Sequence, residues 1–359
     1  MLLEKAKIYG VDGVGKSTPS LTRTDSAEGL TFTVGESEIK SDFDKCYPWC
    51  EMQEVVDENE NVFIRIPKFY SKVTKNSDGT YKHQISGFRY DGFSTLFIDG
   101  KGNEIDYVLV GKYEASGSSA KAFSKSGQTC LVNITLPGMR TACKANGEGY
   151  QQYDFLIDAI IKELFMIEFA TTNSQSIMKG WTDGSNSAAL VTGHTDNIKT
   201  ASDSWNSNHT EGCTTCNSDG KHACKYRGIE NLWGNVWTWV DGITFSGEKV
   251  YVCTDPTKYV SESQAQPYNY VGDRPTGEGY AKSIEYFDKY PLLGFTKTTG
   301  ATSSTYYCDY YYYYKSGTVL AVGGTWSRGA DAGLWSWYGN VTASAAYSGI
   351  GGRLCYKPL

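Results

Sequence analysis

Hydrophobic and polar positions change rhythm several times along the 359-residue chain. Near the start, Thr31-Phe32-Thr33-Val34 alternates over a short run, as a half-buried strand does. Val62-Phe63-Ile64-Arg65-Ile66 and Phe69-Tyr70-Ser71-Lys72-Val73 read as strands. Asn76-Ser77-Asp78-Gly79 beyond them carries a hairpin-turn signal. Ile105 to Val110 and Lys112-Tyr113-Glu114 are a further strand pair. The period then lengthens. Met139 to Ala145 is a short helix stopped by Asn146-Gly147. Gln152 to Thr171 repeats apolar residues at helical spacing, with Phe155, Ala159, Leu164 and Phe165 on one stripe and Ile157, Ile160, Ile161 and Ile167 widening it. A helix so apolar is a core element buried on most sides.

Polar loops follow to about residue 220, and strand rhythm returns at Val236 to Val240 and Thr318 to Val322. The Tyr306–Tyr314 run reads either as a recognition surface or as a strand with alternate tyrosines inside, and the turn at Lys315-Ser316-Gly317 favours the strand. The acidic break at Asp57 to Asn61 divides a small β-rich module, 1–60, from the remainder, 61–359. The expected fold class is α+β.

The final stretch has a different texture. From Gly323 to Asn340, and on to Gly351-Gly352-Arg353-Leu354-Cys355, glycines and tryptophans recur at framework positions. Thr, Ser, Arg, Asp, Tyr and Val fill the gaps with no pattern of face or core. Such a text suits a fixed backbone that displays exchangeable side chains.

Composition narrows the classes. Hydrophobic residues make up 40% of the chain and charged residues 21%, enough apolar content for a large core. The net charge is −6 and no Lys/Arg cluster forms the basic stripe of a nucleic-acid binder. No run of 18 apolar residues would cross a membrane, and the first residues lack the apolar segment of a secretory signal. With no export signal, the 10 cysteines are expected as free thiols rather than a disulfide framework. The 27 tyrosines, 9 tryptophans and 39 glycines suit short strands, many turns and an aromatic contact surface.

Three motifs invite a chemical reading. Gly10-Val11-Asp12-Gly13-Val14-Gly15-Lys16-Ser17 matches the phosphate-loop pattern, but Pro19 and the polar run behind it make a poor helix, and a phosphate cradle needs a helix N-terminus there. A glycine-rich turn is the expectation. Cys213, Cys216, His222 and Cys224 offer a Cys3His set for zinc, or else are free or locally paired. The four histidines stand in polar surroundings without the partners of a nucleophilic triad. No catalytic residue is expected, and no cofactor.

Gly228-Ile229-Glu230-Asn231-Leu232-Trp233-Gly234-Asn235-Val236-Trp237 resembles the G-N-V-W-E-W signature of formylglycine-generating enzymes, a branch of the C-type lectin fold. Gly323-Gly324-Thr325-Trp326 and Gly351-Gly352-Arg353 resemble the last strands of that fold, and Ile167 to Gln175 its second helix. The likeness spans roughly residues 60 to 359. It implies a C-type lectin-like domain of the formylglycine-generating-enzyme type behind the β-rich N-terminal module. The oxidase activity does not carry over, because no cysteine lies between Gly323 and Gly352 to hold copper(I).

Within the fold, the chain is similar to variable proteins of diversity-generating retroelements. Their scheme rewrites a C-terminal region through adenine-specific copying errors, and the side chains between the framework residues here belong to the set that such errors reach. The resemblance implies a variable region at about 323–350. Its ligand-binding residues would be Thr325, Ser327, Arg328, Asp331, Ser336, Tyr338, Val341, Thr342, Ser344, Tyr347 and Ser348. Trp233, Gly234, Asn235, Trp237, Trp326, Trp335 and Trp337 would be scaffold. Ile8-Tyr9-Gly10-Val11, Leu21 to Asp25 and Ile66-Pro67-Lys68-Phe69-Tyr70 resemble phage tail-fibre adhesins. The resemblance implies a homotrimer at a virion tail tip, a host-surface protein or glycan as ligand, and other tail proteins as partners of the N-terminal module. A bacterial surface or secreted ligand-binding protein is the alternative. Changing Tyr338 and Tyr347 to Ala is expected to abolish binding with the melting temperature nearly unchanged.

Overall fold

The computed structural model describes residues 2–34, 39–184, 189–196 and 219–358. Within them the chain is mostly β, with two helices longer than one turn, Leu136–Lys144 and Phe155–Phe169. The second is the long helix expected. Asp154 caps it by accepting from Ile157 N, and Ala170 ends it in the left-handed region at φ 49°. Every residue of this helix except Ala159 is buried. Its charged residues are therefore paired: Lys162 Nζ lies 2.6 Å from Asp158, and Glu163 lies 2.7 Å from His83.

Three larger sheets surround this helix. The first has four strands, in the order Thr22–Asp25, Ile8–Val14, Tyr81–Ser86, Tyr70–Lys75. The second has five: Tyr150–Gln152, Leu354–Tyr356, Tyr107–Gly111, Val62–Pro67, Gln53–Val56. Two expectations change here. Residues 57–61 form the turn of a hairpin whose strands pair Val56 with Val62 and Gln53 with Arg65. The acidic break expected at a domain boundary is thus a solvated turn inside one sheet. Ile8–Val14 also pairs directly with Tyr81–Ser86, across the expected boundary. Lys112-Tyr113-Glu114 is not a strand; the chain bends there, and Glu114 turns inward, fully buried.

The third sheet carries the C-terminal stretch. Its seven strands run in the order Gly294–Thr299, Gly279–Tyr286, Tyr310–Tyr313, Gly333–Val341, Val319–Gly323, Trp237–Val240, Ile350–Gly351. Gly333–Val341 sits in the middle, parallel to Tyr310–Tyr313 and antiparallel to Val319–Gly323. Successive residues of a strand point to opposite sides. Trp335 and Trp337 join the core around the long helix, where Trp337 meets Phe155 edge-on at 5.8 Å and Trp335 meets Phe165 at 5.9 Å. Tyr311, one strand over, packs into the same core with its ring 1% exposed. Trp237, Trp239, Tyr312, Ala321 and Val341 belong to a second cluster, with the Leu136–Lys144 helix. The alternating-tyrosine reading of Tyr310–Tyr313 thus describes the strand, with both sides in use.

The Trp- and Gly-rich motifs are junctions. Gly234 holds φ 79°, and a Cβ there would stand 2.7 Å from Trp181 O. Asn235, fully buried, donates to Glu114 Oε2 at 2.5 Å and accepts from Leu190 N at 2.7 Å. Arg353 is buried without a direct carboxylate contact among the described residues. Its guanidinium donates to the carbonyls of Gly111 at 2.9 Å and Glu230 at 2.6 Å, binding the closing strand to the core by backbone acceptors.

Candidate ligand-binding pocket

Loop backbones on either side of Gly333–Val341 are fixed by hydrogen bonds that involve few of their own side chains. Trp326 N donates to Asn235 O at 3.2 Å, and Trp326 O accepts from Gly184 N at 2.7 Å. Gly329 N donates to Thr182 O at 2.8 Å, while Gln175 Nε2 reaches the carbonyls of Gly329 and Ala332 at 2.7 and 2.8 Å. After the strand, Leu136 N donates to Ala343 O at 3.2 Å, Asn133 N to Tyr347 O at 3.0 Å and Trp237 N to Gly349 O at 2.8 Å. The path of both loops is therefore largely independent of what the loop side chains are.

Between these loops lies a pocket of about 240 Å³, lined by Trp237, Thr325, Trp326, Ser327, Arg328, Tyr338, Tyr347, Gly349 and Ile350. Five of the residues singled out from the sequence meet here: Thr325, Ser327, Arg328, Tyr338 and Tyr347. Tyr338 is half-buried and stacks on Trp237 at 5.0 Å and 22°. Tyr347 is 54% exposed at the rim. Thr325 is buried but still lines the pocket, its hydroxyl 3.3 Å from that of Ser327.

The other expected ligand residues are placed differently. Ser336 is fully buried and its hydroxyl donates to Tyr310 O at 3.1 Å, a strand-to-strand bond rather than a ligand contact. Val341 is buried because it faces Val319 in register and joins the second core. Asp331 is half-buried, with both carboxylate oxygens engaged: Tyr280 OH donates to one at 2.8 Å and Tyr312 OH to the other at 2.9 Å. Thr342, Ser344 and Ser348 lie outside the pocket on the following loop, with Ser344 and Ser348 exposed and the hydroxyls of Thr342 and Ser344 3.2 Å apart. Of the expected scaffold, Trp233, Gly234, Asn235, Trp335 and Trp337 are buried, while Trp326 is half-exposed and forms a pocket wall. Trp237 is both: buried, and the surface against which Tyr338 stacks.

Reading the sequence stretch alone missed the tyrosines that continue the aromatic surface. Tyr312 packs on Tyr338 at 5.6 Å and on Tyr310 at 4.6 Å, and Tyr310 packs on Tyr280 at 5.3 Å. Burial, then the bond to Asp331, pushes the Tyr280 phenol up to about 12. Burial likewise raises Tyr312 and Tyr338, so all three rings stay neutral donors at physiological pH. The density of tyrosine at 306–314 was the available signal; which rings face out was fixed by strand pairing.

Arg328 stands over the Tyr312 ring at 5.0 Å. Its Nη1 reaches Tyr312 OH at 3.4 Å, and its Nε is buried without a hydrogen-bond partner among the described residues.

Elsewhere, Gly10–Ser17 runs through the strand Ile8–Val14 into a turn, with no helix behind it, so the phosphate-loop spelling is a glycine turn. Cys213 and Cys216 lie outside the described residues; His222 pairs with Asp219 at 2.8 Å and the Cys224 thiol donates to Trp233 O at 3.5 Å. Burial pushes the thiols of Cys308 and Cys355 up to about 12, away from the reactive thiolate form. A larger pocket, about 390 Å³, is lined by Asp99, Lys144, Tyr150, Thr257 and Lys357 among others. Two of its charged groups are already engaged: Lys357 with Asp154 at 2.6 Å, and Asp99 with the backbone of its own loop at Lys101 and Asn103.

No family model matches the chain, and no curated protein does. Among solved structures it is similar to Treponema denticola variable protein 1, at 13% identity over 85% of this chain and 99% of that one, with a TM-score of 0.36. It is also similar to the Major Tropism Determinant I1 variant, at 11% identity over 98% of this chain and 72% of that one, TM-score 0.33. The U1 variant of the same determinant gives 9% identity over the same shares, TM-score 0.31.

Proposed function

We propose that the chain is a ligand-binding variable protein whose diversified C-terminal face, about 323–350, recognises a molecule on a host cell surface. The observation that carries this reading is the convergence of Thr325, Ser327, Arg328, Tyr338 and Tyr347 on one pocket whose loops are held largely by backbone bonds. Side chains held this way can be exchanged at a cost of within about half a kcal/mol each where they are exposed. Tyrosine, tryptophan and arginine are the residue types that dominate binding energy when they cluster. The site therefore suits recognition, and we assign it no catalytic role.

By the same reading the protein acts at a phage tail tip as a homotrimer, where several modest sites gain avidity together. Its N-terminal strands would meet other tail proteins.

Two experiments test the reading. A near-copy of the last hundred or so bases of the gene, differing at adenines and beside a reverse-transcriptase gene, is expected in the source genome. Cell-binding assays with the full chain should lose binding when Tyr338 and Tyr347 are both changed to Ala. Undiminished binding by a folded double variant would remove the pocket from recognition.

A further inference from the structure

The pocket contains one charge that the fold leaves unmatched. Arg328 forms no direct ion pair among the described residues, and the one hydrogen bond of its side chain there, to Tyr312 OH, is long at 3.4 Å. Of the two carboxylates in its tyrosine neighbourhood neither makes a direct ion pair with it, and Asp331 is linked to it only through the Tyr312 hydroxyl that both reach. Asp331 is held by Tyr280 and Tyr312, and Glu278 accepts from Tyr313 N at 3.3 Å. The Arg328 guanidinium lines the pocket without a direct carboxylate partner among the described residues, and a ligand carboxylate entering the pocket would supply one. Its planar fork matches a carboxylate in two parallel bonds.

Size decides what carries the carboxylate. At about 240 Å³ the pocket lies below the range of roughly 300–1,000 Å³ typical of sites for whole small molecules. It accommodates one residue-sized group entering from a larger body. Beside the pocket the half-buried Tyr310 and Tyr280 rings, backed by the buried Tyr312, form an aromatic patch of the kind that protein interfaces favour around an anchoring charge.

Building on the recognition role proposed above, we infer that the pocket receives an aspartate or glutamate side chain of a partner protein, its carboxylate paired with the Arg328 guanidinium. Trp326, Tyr338 and Tyr347 surround the stem of that side chain and exclude water from the pair. The net charge of −6 does not oppose this, because exposed charges more than about 8 Å away are screened at physiological salt.

The test uses the full chain and small probes observed by nuclear magnetic resonance at the Arg328 Nε–H and the Trp326 indole N–H. N-acetyl-glutamate N-methylamide should shift both resonances saturably. The neutral N-acetyl-glutamine N-methylamide should bind about tenfold more weakly or less, the difference one charge-assisted pair makes. Arg328→Gln should abolish the preference for the acid. No response to the glutamate probe, or an equal response to the glutamine probe, overturns the acidic partner; equal shifts at Trp326 would still leave the pocket as a binding site. Tighter binding of glucuronate than of the glutamate probe overturns the protein source in favour of an acidic glycan.

Discussion

The two sides of the strand Gly333–Val341 are built by different rules. On one side Trp335 and Trp337, each less than 5% exposed, are locked against Phe155, Phe165 and the long helix. On the other, Tyr338 looks into a pocket with Trp326 and Arg328, where side chains meet solvent. Neighbouring positions on one strand thus carry opposite tolerances. The difference teaches that an open pocket face needs no flexible backbone. Buried side chains and flanking backbone bonds fix the path, and the outer side of the strand opens into the pocket only at Tyr338, since Ser336 on that side is buried.

The largest test of that contrast is Trp337→Ala, which leaves a cavity against Phe155 and Lys162. It should cost about 3–5 kcal/mol, read as a lower urea midpoint. A near-normal midpoint would erase the distinction between the sides. Next comes Glu114→Gln, in the buried junction behind the pocket. Burial is the main reason its carboxyl is pushed up to about 7 from 4.5, offset by Arg353, Asn235 and Asn231. The native state therefore holds a proton that the unfolded chain releases, and stability present below pH 4.5 is lost as pH rises through 7. The loss is about 3 kcal/mol, since each tenfold gain in proton affinity on folding is worth about 1.4 kcal/mol. Glu114→Gln should flatten that fall, giving a higher midpoint than the native chain at pH 8 and little change at pH 4.5. Equal pH profiles would show that Glu114 does not take up the proton.

Smaller effects sharpen the outer side. Tyr338→Ala removes the stack on Trp237 and the contact with Tyr312, and should cost about 1–2 kcal/mol. This corrects the expectation from sequence that its loss leaves the melting temperature nearly unchanged: the ring is half-buried, so it supports the pocket as well as lining it. Tyr347→Ala should stay within about 0.5 kcal/mol by thermal melting while weakening binding. A cost as large as that of Tyr338→Ala would place Tyr347 in the framework.

The long helix was legible because its apolar period is local and its cap, Asp154, is adjacent. The strands at 62–67 and 319–323 were legible for the same reason. The break at 57–61 misled because an acidic, Asn-rich turn is spelled alike whether it separates domains or closes a hairpin. Ser336 and Val341 read as surface residues because small or β-branched side chains give no sign of facing; a register shift in the pairing with Val319–Gly323 accompanies their burial. Trp326 read as framework because tryptophan usually is, yet its backbone, bonded at both N and O, is what anchors it here.

By itself the sequence determined the framework: where glycine, tryptophan and helical spacing recur, the local chain has few alternatives, because φ, bulk and period are properties of the residues themselves. Only the tertiary structure decided which side chains gather in and beside the pocket. Tyr280, Tyr312 and Arg328 come from separate segments and meet through strand pairing and loop anchoring. That meeting is a non-local balance of backbone hydrogen bonds and core packing, which no short stretch of residues encodes.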